Sequence, residues 1–289
     1  MSATGMAAPP RPMLSRRALV GATLAMPATA ILASATARAE PSKPAMKVRR
    51  LLWAGILVEV GDVAVFIDAV PPETNELAPT DLFDTTKGQR FAIVTHYHGD
   101  HFDHDLVQQK LGANGTLIAP RESAMFMDLR SLKVQTAETW QPVFLPRNGA
   151  DVVAWPVPAV DGFGAPQSSW ILDGAGRRIF HGGDTQWHGN FSAIGRAYGP
   201  FDAAFLPING ARQNVGRFVD AGVPAVLTPE QAIIAAEQLR AKLIVPIHYG
   251  GNDPPSYLET DHPLERLQAS ATARRLPVKT LTTGEILML

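Results

Sequence analysis

The stretch Thr95–His104 reads THYHGDHFDH and holds four of the chain's eight histidines. Within it, His96, His98, Asp100 and His101 form the pattern H-x-H-x-D-H, with four nitrogen and oxygen donors in six residues. The segment follows FAIV, a short apolar run. On a chain leaving a strand, alternate residues such as His96 and His98 point the same way. A turn at Gly99 then swings Asp100 and His101 toward a second point nearby. That spacing serves two neighbouring cation positions, each fed by imidazole and carboxylate; the bland alternative is a histidine-rich surface turn. The chain has no cysteine, so disulfides and thiolate ligands are excluded. Any metal is held by His, Asp, Glu or backbone oxygen. A cation in such a place lowers the pKa of coordinated water and polarises the oxygen of an electrophile. No G-x-S-x-G motif is present, which argues against a serine nucleophile. The chemistry expected is metal-dependent hydrolysis by metal-bound hydroxide.

The elements needed to hold these groups are legible around them. LLWAGILVEV (Leu51 to Val60) and VAVFIDA (Val63 to Ala69) flank Gly61-Asp62, a hairpin turn signal. FAIVT (Phe91 to Thr95) and TLIA (Thr116 to Ala119) are further strands, with HDLVQQKLG between them as a short helix stopped by Gly112. DVVAWPV, SSWILD, RRIFHGG and FDAAFLPI follow, each bounded by Gly, Pro or Asp. The clearest helix is TPEQAIIAAEQLRAK, with Thr228 as N-cap, Pro229 at the first turn and Gln231 completing a capping box. It feeds LIVPIHYG, a buried strand ending in His248. Strands in two groups with helices interspersed suit an α/β, layered fold of packed sheets with helices outside.

These motifs resemble those of the metallo-β-lactamase superfamily over nearly the whole chain after residue 40. Within it, the likeness is to the branch of ascorbate-phosphate lactonase-like proteins and the phospholipase D acting on N-acyl-phosphatidylethanolamines. The resemblance implies a four-layer αββα sandwich with the site at one edge. It also implies one or two divalent metal ions, zinc first, with manganese or iron as alternatives. His96, His98, Asp100 and His101 match the signature. HGGDT (His181 to Thr185) matches the motif whose aspartate bridges two metals, which is Asp184 here. PIHYG (Pro246 to Gly250) makes His248 a ligand, and FIDAV (Phe66 to Val70) gives Asp68 the role of supporting the site from behind the ligands. The resemblance also suggests that Asp100 orients the attacking water or handles a proton. One position departs: the family has another histidine before HGGDT, and no histidine lies between His104 and His181. Asp161, in VPAVDGFGAPQ, is the nearest candidate for that place; alternatively it only shapes a turn with Gly162.

Other residues carry weaker expectations. His188 lies close after Asp184 and is a candidate to meet substrate, and Tyr97 adjoins two ligands. His104 is a helix-start residue or a support for the site, and His181 a satisfied strand-end residue. Arg212 or Arg217 is a candidate for an anionic substrate group, or else a solvated surface charge. Esters, lactones, phosphodiesters and amides all fit as small-molecule substrates. A metal- or ligand-binding periplasmic protein without turnover is the alternative function.

The first 39 residues are expected to be an export signal, with residues 40–289 a single domain of the fold above. Arg16-Arg17 precede the uncharged run Ala18 to Thr36, which ends at Ala37-Arg38-Ala39. Basic start, apolar middle and small-x-small site are the parts of such a signal. The paired arginines after Ser15 resemble a twin-arginine address, which is read by the export machinery and is not an anchor. Cleavage near Ala39 removes four arginines and no acid, taking the net charge from −1 to −5. A mildly acidic product has no electrostatic reason to bind nucleic acid. The expectation is a periplasmic or secreted protein without a stable membrane anchor.

Overall fold

The computed structural model describes residues 45–72, 78–85, 88–145, 152–213, 221–251 and 253–289. The MKVRR segment forms its own strand, β1 (Met46–Arg50), antiparallel to β2 (Ile56–Val60). The strand expected over Leu51–Val60 is therefore half as long as its apolar run suggests. To bring β2 back along β1 the chain must reverse over residues 51–55, where Leu51 N donates to Gly55 O at 2.9 Å and Gly55 N to Leu52 O at 2.7 Å. The Gly61-Asp62 hairpin forms as expected: β3 (Val63–Ile67) pairs antiparallel with β2, Val60 opposite Val63.

The chain then runs through β4 (Gln89–Ile93), α1 (His104–Leu111), β5 (Thr116–Pro120), α2 (Arg121–Ala124) and β6 (Val134–Ala137). β3, β4, β5 and β6 are parallel neighbours, and a C-terminal strand, Ile286–Met288, pairs with β1 at the far edge of this sheet. The second half supplies β7 (Val143–Leu145), β8 (Val152–Pro158), β9 (Ser168–Gly174), β10 (Arg177–His181), α3 (Phe191–Tyr198), β11 (Ala203–Pro207), β12 (Arg212–Gln213), α4 (Pro229–Leu239), β13 (Ile244–Ile247), β14 (Tyr257–Leu258) and α5 (Pro263–Arg274). The second sheet has the order β13-β11-β10-β9-β8-β7, and β12 pairs with β14 alone.

Alternate residues of these strands enter different cores, because side chains on a strand have period two. Ile56, Val58, Val65, Ile67 and Ile93 of the first sheet meet Trp170, Leu172, Ile179, Phe205 and Val245 of the second between the sheets. Leu57, Phe66, Ala92 and Leu117 face the other way, toward Val107 and Leu111 of α1. Ile171, Phe180, Ala204 and Leu206 pack under Phe191 of α3, Ile233 of α4 and Leu267 of α5. The result is the expected αββα sandwich. Inner strands such as β3 and β11 read as unbroken apolar runs because both of their faces are covered.

α4 has the expected capping box, with Gln231 N donating to Thr228 Oγ1 and Thr228 N to Gln231 Oε1 at 3.0 Å. Among the described residues no helix is long and apolar enough to cross a membrane. Arg16, Arg17 and Ala39 lie outside the described residues.

Candidate metal centre

The site lies at the carboxyl ends of parallel strands, the edge at which open α/β sheets gather their functional loops. Asp68 follows β3, Thr95 and His96 follow β4, Asp184 follows β10, and His248 follows β13. Asp68 (φ 47°) and His248 (φ 53°) sit in the left-handed region, as does Trp53 (φ 51°) in the turn after β1. Such conformations cost of order 1 kcal/mol or more for a residue with a side chain, and they cluster where function requires them. Gly183 (φ 66°) lets the Asp184 loop close on the first sheet, since a Cβ there would stand 2.9 Å from Thr95 Cγ2.

Two groups of donors converge. His96, His98 and Asp184 offer ligand atoms all within 4.8 Å of one another, and so do Asp100, His101 and His248. Asp184 Oδ2 stands 3.7 Å from His96 Nε2 and 3.9 Å from His101 Nε2, so one oxygen faces both groups. Asp100 Oδ2 is 3.5 Å from His101 Nε2 and 3.6 Å from His248 Nε2.

The far sides of the rings are held in ways that fix their direction. Asp68 accepts from Thr95 N at 2.8 Å and from Thr95 Oγ1 at 2.8 Å, and its Oδ2 lies 2.9 Å from His101 Nδ1. A Thr95 hydroxyl that donates to Asp68 is left to accept, so it takes the Nδ1 proton of His96 at 3.0 Å. Both rings therefore turn Nε2 into the site, as a hydrogen-bonded ligand histidine does. His101 Nε2 and His248 Nε2 are buried and find no hydrogen-bond partner among the described residues. A cation between these imidazoles and carboxylates would satisfy them. The donor set, nitrogen and oxygen only, suits zinc, manganese or iron.

Electrostatics point the same way. Burial alone would depress His101, but Asp100, Asp68 and Asp184 outweigh it and raise its pKa to about 10. Burial pushes the Asp184 carboxyl well up, and pushes His96 and His248 down. Asp100 is half exposed at its side chain; its burial raises its pKa, but His101 and His248 hold it far below the ordinary carboxylate value.

The remaining expected residues divide. Asp161 Oδ2 lies 3.9 Å from His98 Nε2, so the loop brings its carboxylate beside that ring, although Asp161 belongs to neither donor group. Both of its oxygens also accept backbone N–H groups, from Phe163 at 3.0 Å and Ala165 at 2.5 Å, which is the turn-shaping alternative. Tyr97 packs edge-on against His98 and near Phe126. His188 stacks on Phe191 with ring centroids 4.0 Å apart, belongs to neither donor group, and has its pKa depressed by burial to about 4. His181 is a satisfied strand-end residue: Nε2 donates to Ala54 O at 2.9 Å and Nδ1 accepts from Gly183 N. His104 starts α1 and bonds Asp105 and the Arg130 carbonyl, away from the site.

A cavity of about 1260 Å³ opens at Asp100, lined among others by Trp53, Asp103, Tyr249, Gly250 and Tyr257. It lies on the His248 side, whereas the loop that carries Asp161 approaches the site from the His98 side. Arg212 sits exposed on β12 and does not line this cavity, and Arg217 is outside the described residues. Sequence reasoning missed three contributors. Trp53 Nε1 donates to Asp100 Oδ2 at 3.0 Å, Tyr257 OH accepts from Asn209 Nδ2 at 2.7 Å at the cavity wall, and the Gln167 amide, turned to suit its neighbours, donates to Asp184 Oδ1 and accepts from Thr185 N.

A family model described as the beta-lactamase superfamily domain matches residues 64–249, which include every residue of both donor groups. The chain belongs to the metallo-β-lactamase superfamily. A UPF0173 metal-dependent hydrolase of Hyperthermus butylicus is 29% identical over 206 residues, 70% of this chain and 82% of the relative. Among solved structures, Igni18, a metallo hydrolase of Ignicoccus hospitalis, superposes with a TM-score of 0.64 at 24% identity, covering 85% of this chain and 98% of that one. CmlA, a diiron β-hydroxylase of Streptomyces venezuelae, has the same fold at a TM-score of 0.63 and 14% identity, covering 86% of this chain and 54% of its own. With this membership the chain is a metal-dependent hydrolase.

Proposed function

We propose that the hydrolase uses two zinc ions and cleaves an ester, lactone, phosphodiester or amide bound in the cavity beside Asp100. The observation that carries the reading is the single Asp184 oxygen facing His96 at 3.7 Å and His101 at 3.9 Å. His96, His98 and Asp184 would hold one ion and Asp100, His101 and His248 the other, with Asp161 beside His98 in place of a further imidazole. When bound, the ions supply a Lewis acid and lower the pKa of coordinated water. The chain's own groups do the rest. Asp68 and Thr95 keep the Nε2 atoms of His101 and His96 turned inward. Asp100, held ionised by His101 and His248 and half exposed on the cavity side, would orient the attacking water. Tyr97 borders the His98 side of the site, and His188 lies on the loop that follows Asp184. The paired Arg16-Arg17 and the small residues at Ala37–Ala39 support export through the twin-arginine machinery to the periplasm.

Metal analysis of the purified protein, with a panel of chromogenic ester, lactone, phosphodiester and anilide substrates, tests this. At least one substrate should turn over, stop on chelation and recover with zinc. His101→Ala and His248→Ala should each remove about one ion per chain. Full metal content in both variants would overturn the assignment of that position, and no turnover across the panel would overturn the substrate classes.

A further inference from the structure

The turn between β1 and β2 reaches Asp100, His248 and the strand that leads to Asp184, although neither donor group includes any of its residues. Ala54 O accepts from His181, on the strand that leads to Asp184. Trp53 O accepts from His248 N at 3.3 Å. The Trp53 indole donates to Asp100 Oδ2 at 3.0 Å, and its ring lies on the His248 ring with centroids 4.3 Å apart. Asp100 comes from the first sheet and His248 from the second. Trp53 is a single side chain fixed to both.

Two further observations show that this placement is built in. Trp53 has φ 51°, a conformation that glycine or asparagine would adopt more easily than a bulky aromatic residue. On the opposite side, the loop after His248 leaves room for the indole: a Cβ at Gly251 would come within 2.8 Å of Trp53 Cη2.

We infer that Trp53 is a positioning residue for the Asp100–His101–His248 cation position. Its N–H holds the Asp100 carboxylate toward His101 and His248, while its ring face and carbonyl set the angle of His248. The inference rests on the two-ion reading above. A hydrogen bond to a ligating carboxylate fixes its orientation, and loss of such a partner typically costs about 10–100-fold in metal affinity.

Trp53→Phe is the test, since it keeps a ring against His248 and removes the N–H. The affinity of the metal-free chain for zinc is measured by competition with a chromogenic chelator. In a His98→Ala background this reads the Asp100–His101–His248 position; in a His248→Ala background it reads the His96–His98–Asp184 position. Trp53→Phe should weaken the first about tenfold or more, shift the cobalt(II) absorption spectrum there, and leave the second unchanged. Unchanged affinity and spectrum at the first position would overturn the inference. Equal weakening of both positions would make Trp53 a packing residue and overturn it too. A chain with Trp53 intact that takes no ion at Asp100–His101–His248 would sink the two-ion reading itself.

Discussion

At the residue scale, the site is a contest between a proton and a cation. His101 is surrounded by Asp68, Asp100 and Asp184, which raise its pKa to about 10, so in the metal-free protein it carries a proton at neutral pH. A ligating imidazole must be neutral, so an ion entering this position has to displace that proton. His248 is pushed the other way by burial and brings no competing proton. The sign follows directly. Below about pH 10 the apparent affinity of the Asp100–His101–His248 position should fall about tenfold for each unit of acidification. Zinc titrations of the His98→Ala chain at pH 7 and pH 8 should differ by about that factor, with about one proton released per ion. Equal affinities at the two pH values would mean that His101 is neutral before the ion arrives. The Asp161 carboxylate caps its own loop at Phe163 and Ala165 and still comes within 3.9 Å of His98.

At the scale of elements, Trp170 shows how the sandwich holds the first donor loop. It sits on β9, fully buried between the sheets, and its indole crosses to donate to Val94 O at 2.9 Å, two residues before His96. Trp170→Phe would leave the Val94 carbonyl without that donor and open part of the core, costing about 2–3 kcal/mol. The metal-free protein should then melt roughly 5–10 °C lower, and a calorimetric melt within about 1 °C of the parent would refute the cross-sheet role. The same elements explain what the sequence made legible. Strands such as VAVFI and AAFLP announce themselves because both faces are covered, and α4 because Thr228, Pro229 and Gln231 mark its start. α5 passes unseen because PLERLQASATAR buries only Leu267 and Ala271. The ligands of the first loop are close in sequence and read as a group, whereas Trp53 is hidden. It lies in an apolar stretch that looks like strand, and its partner Asp100 is 47 residues away. Only the reversal imposed by β1 turns that indole toward the site.

At the scale of the molecule, each sheet contributes part of a centre that neither could form alone. The first brings Asp68, His96, His98, Asp100 and His101; the second brings Asp184 and His248. The remaining question at this scale is where the protein works, and it turns on residues before the sandwich. Arg16-Arg17 stand before an uncharged run that ends at Ala37–Ala39. If the pair is an address read by a receptor, its chemical identity matters and its charge alone does not suffice. Replacing both with Lys keeps the charge of the segment, so a signal that needs only a basic start would still work. The doubly substituted chain should accumulate in the cytoplasm at precursor size, while the parent appears in the periplasmic fraction shortened by about 39 residues, as cleavage at the small-x-small site implies. Fractionation followed by intact-mass measurement distinguishes these outcomes. Undiminished periplasmic delivery of the Lys-Lys chain would reject the twin-arginine reading and leave a general secretory signal in its place.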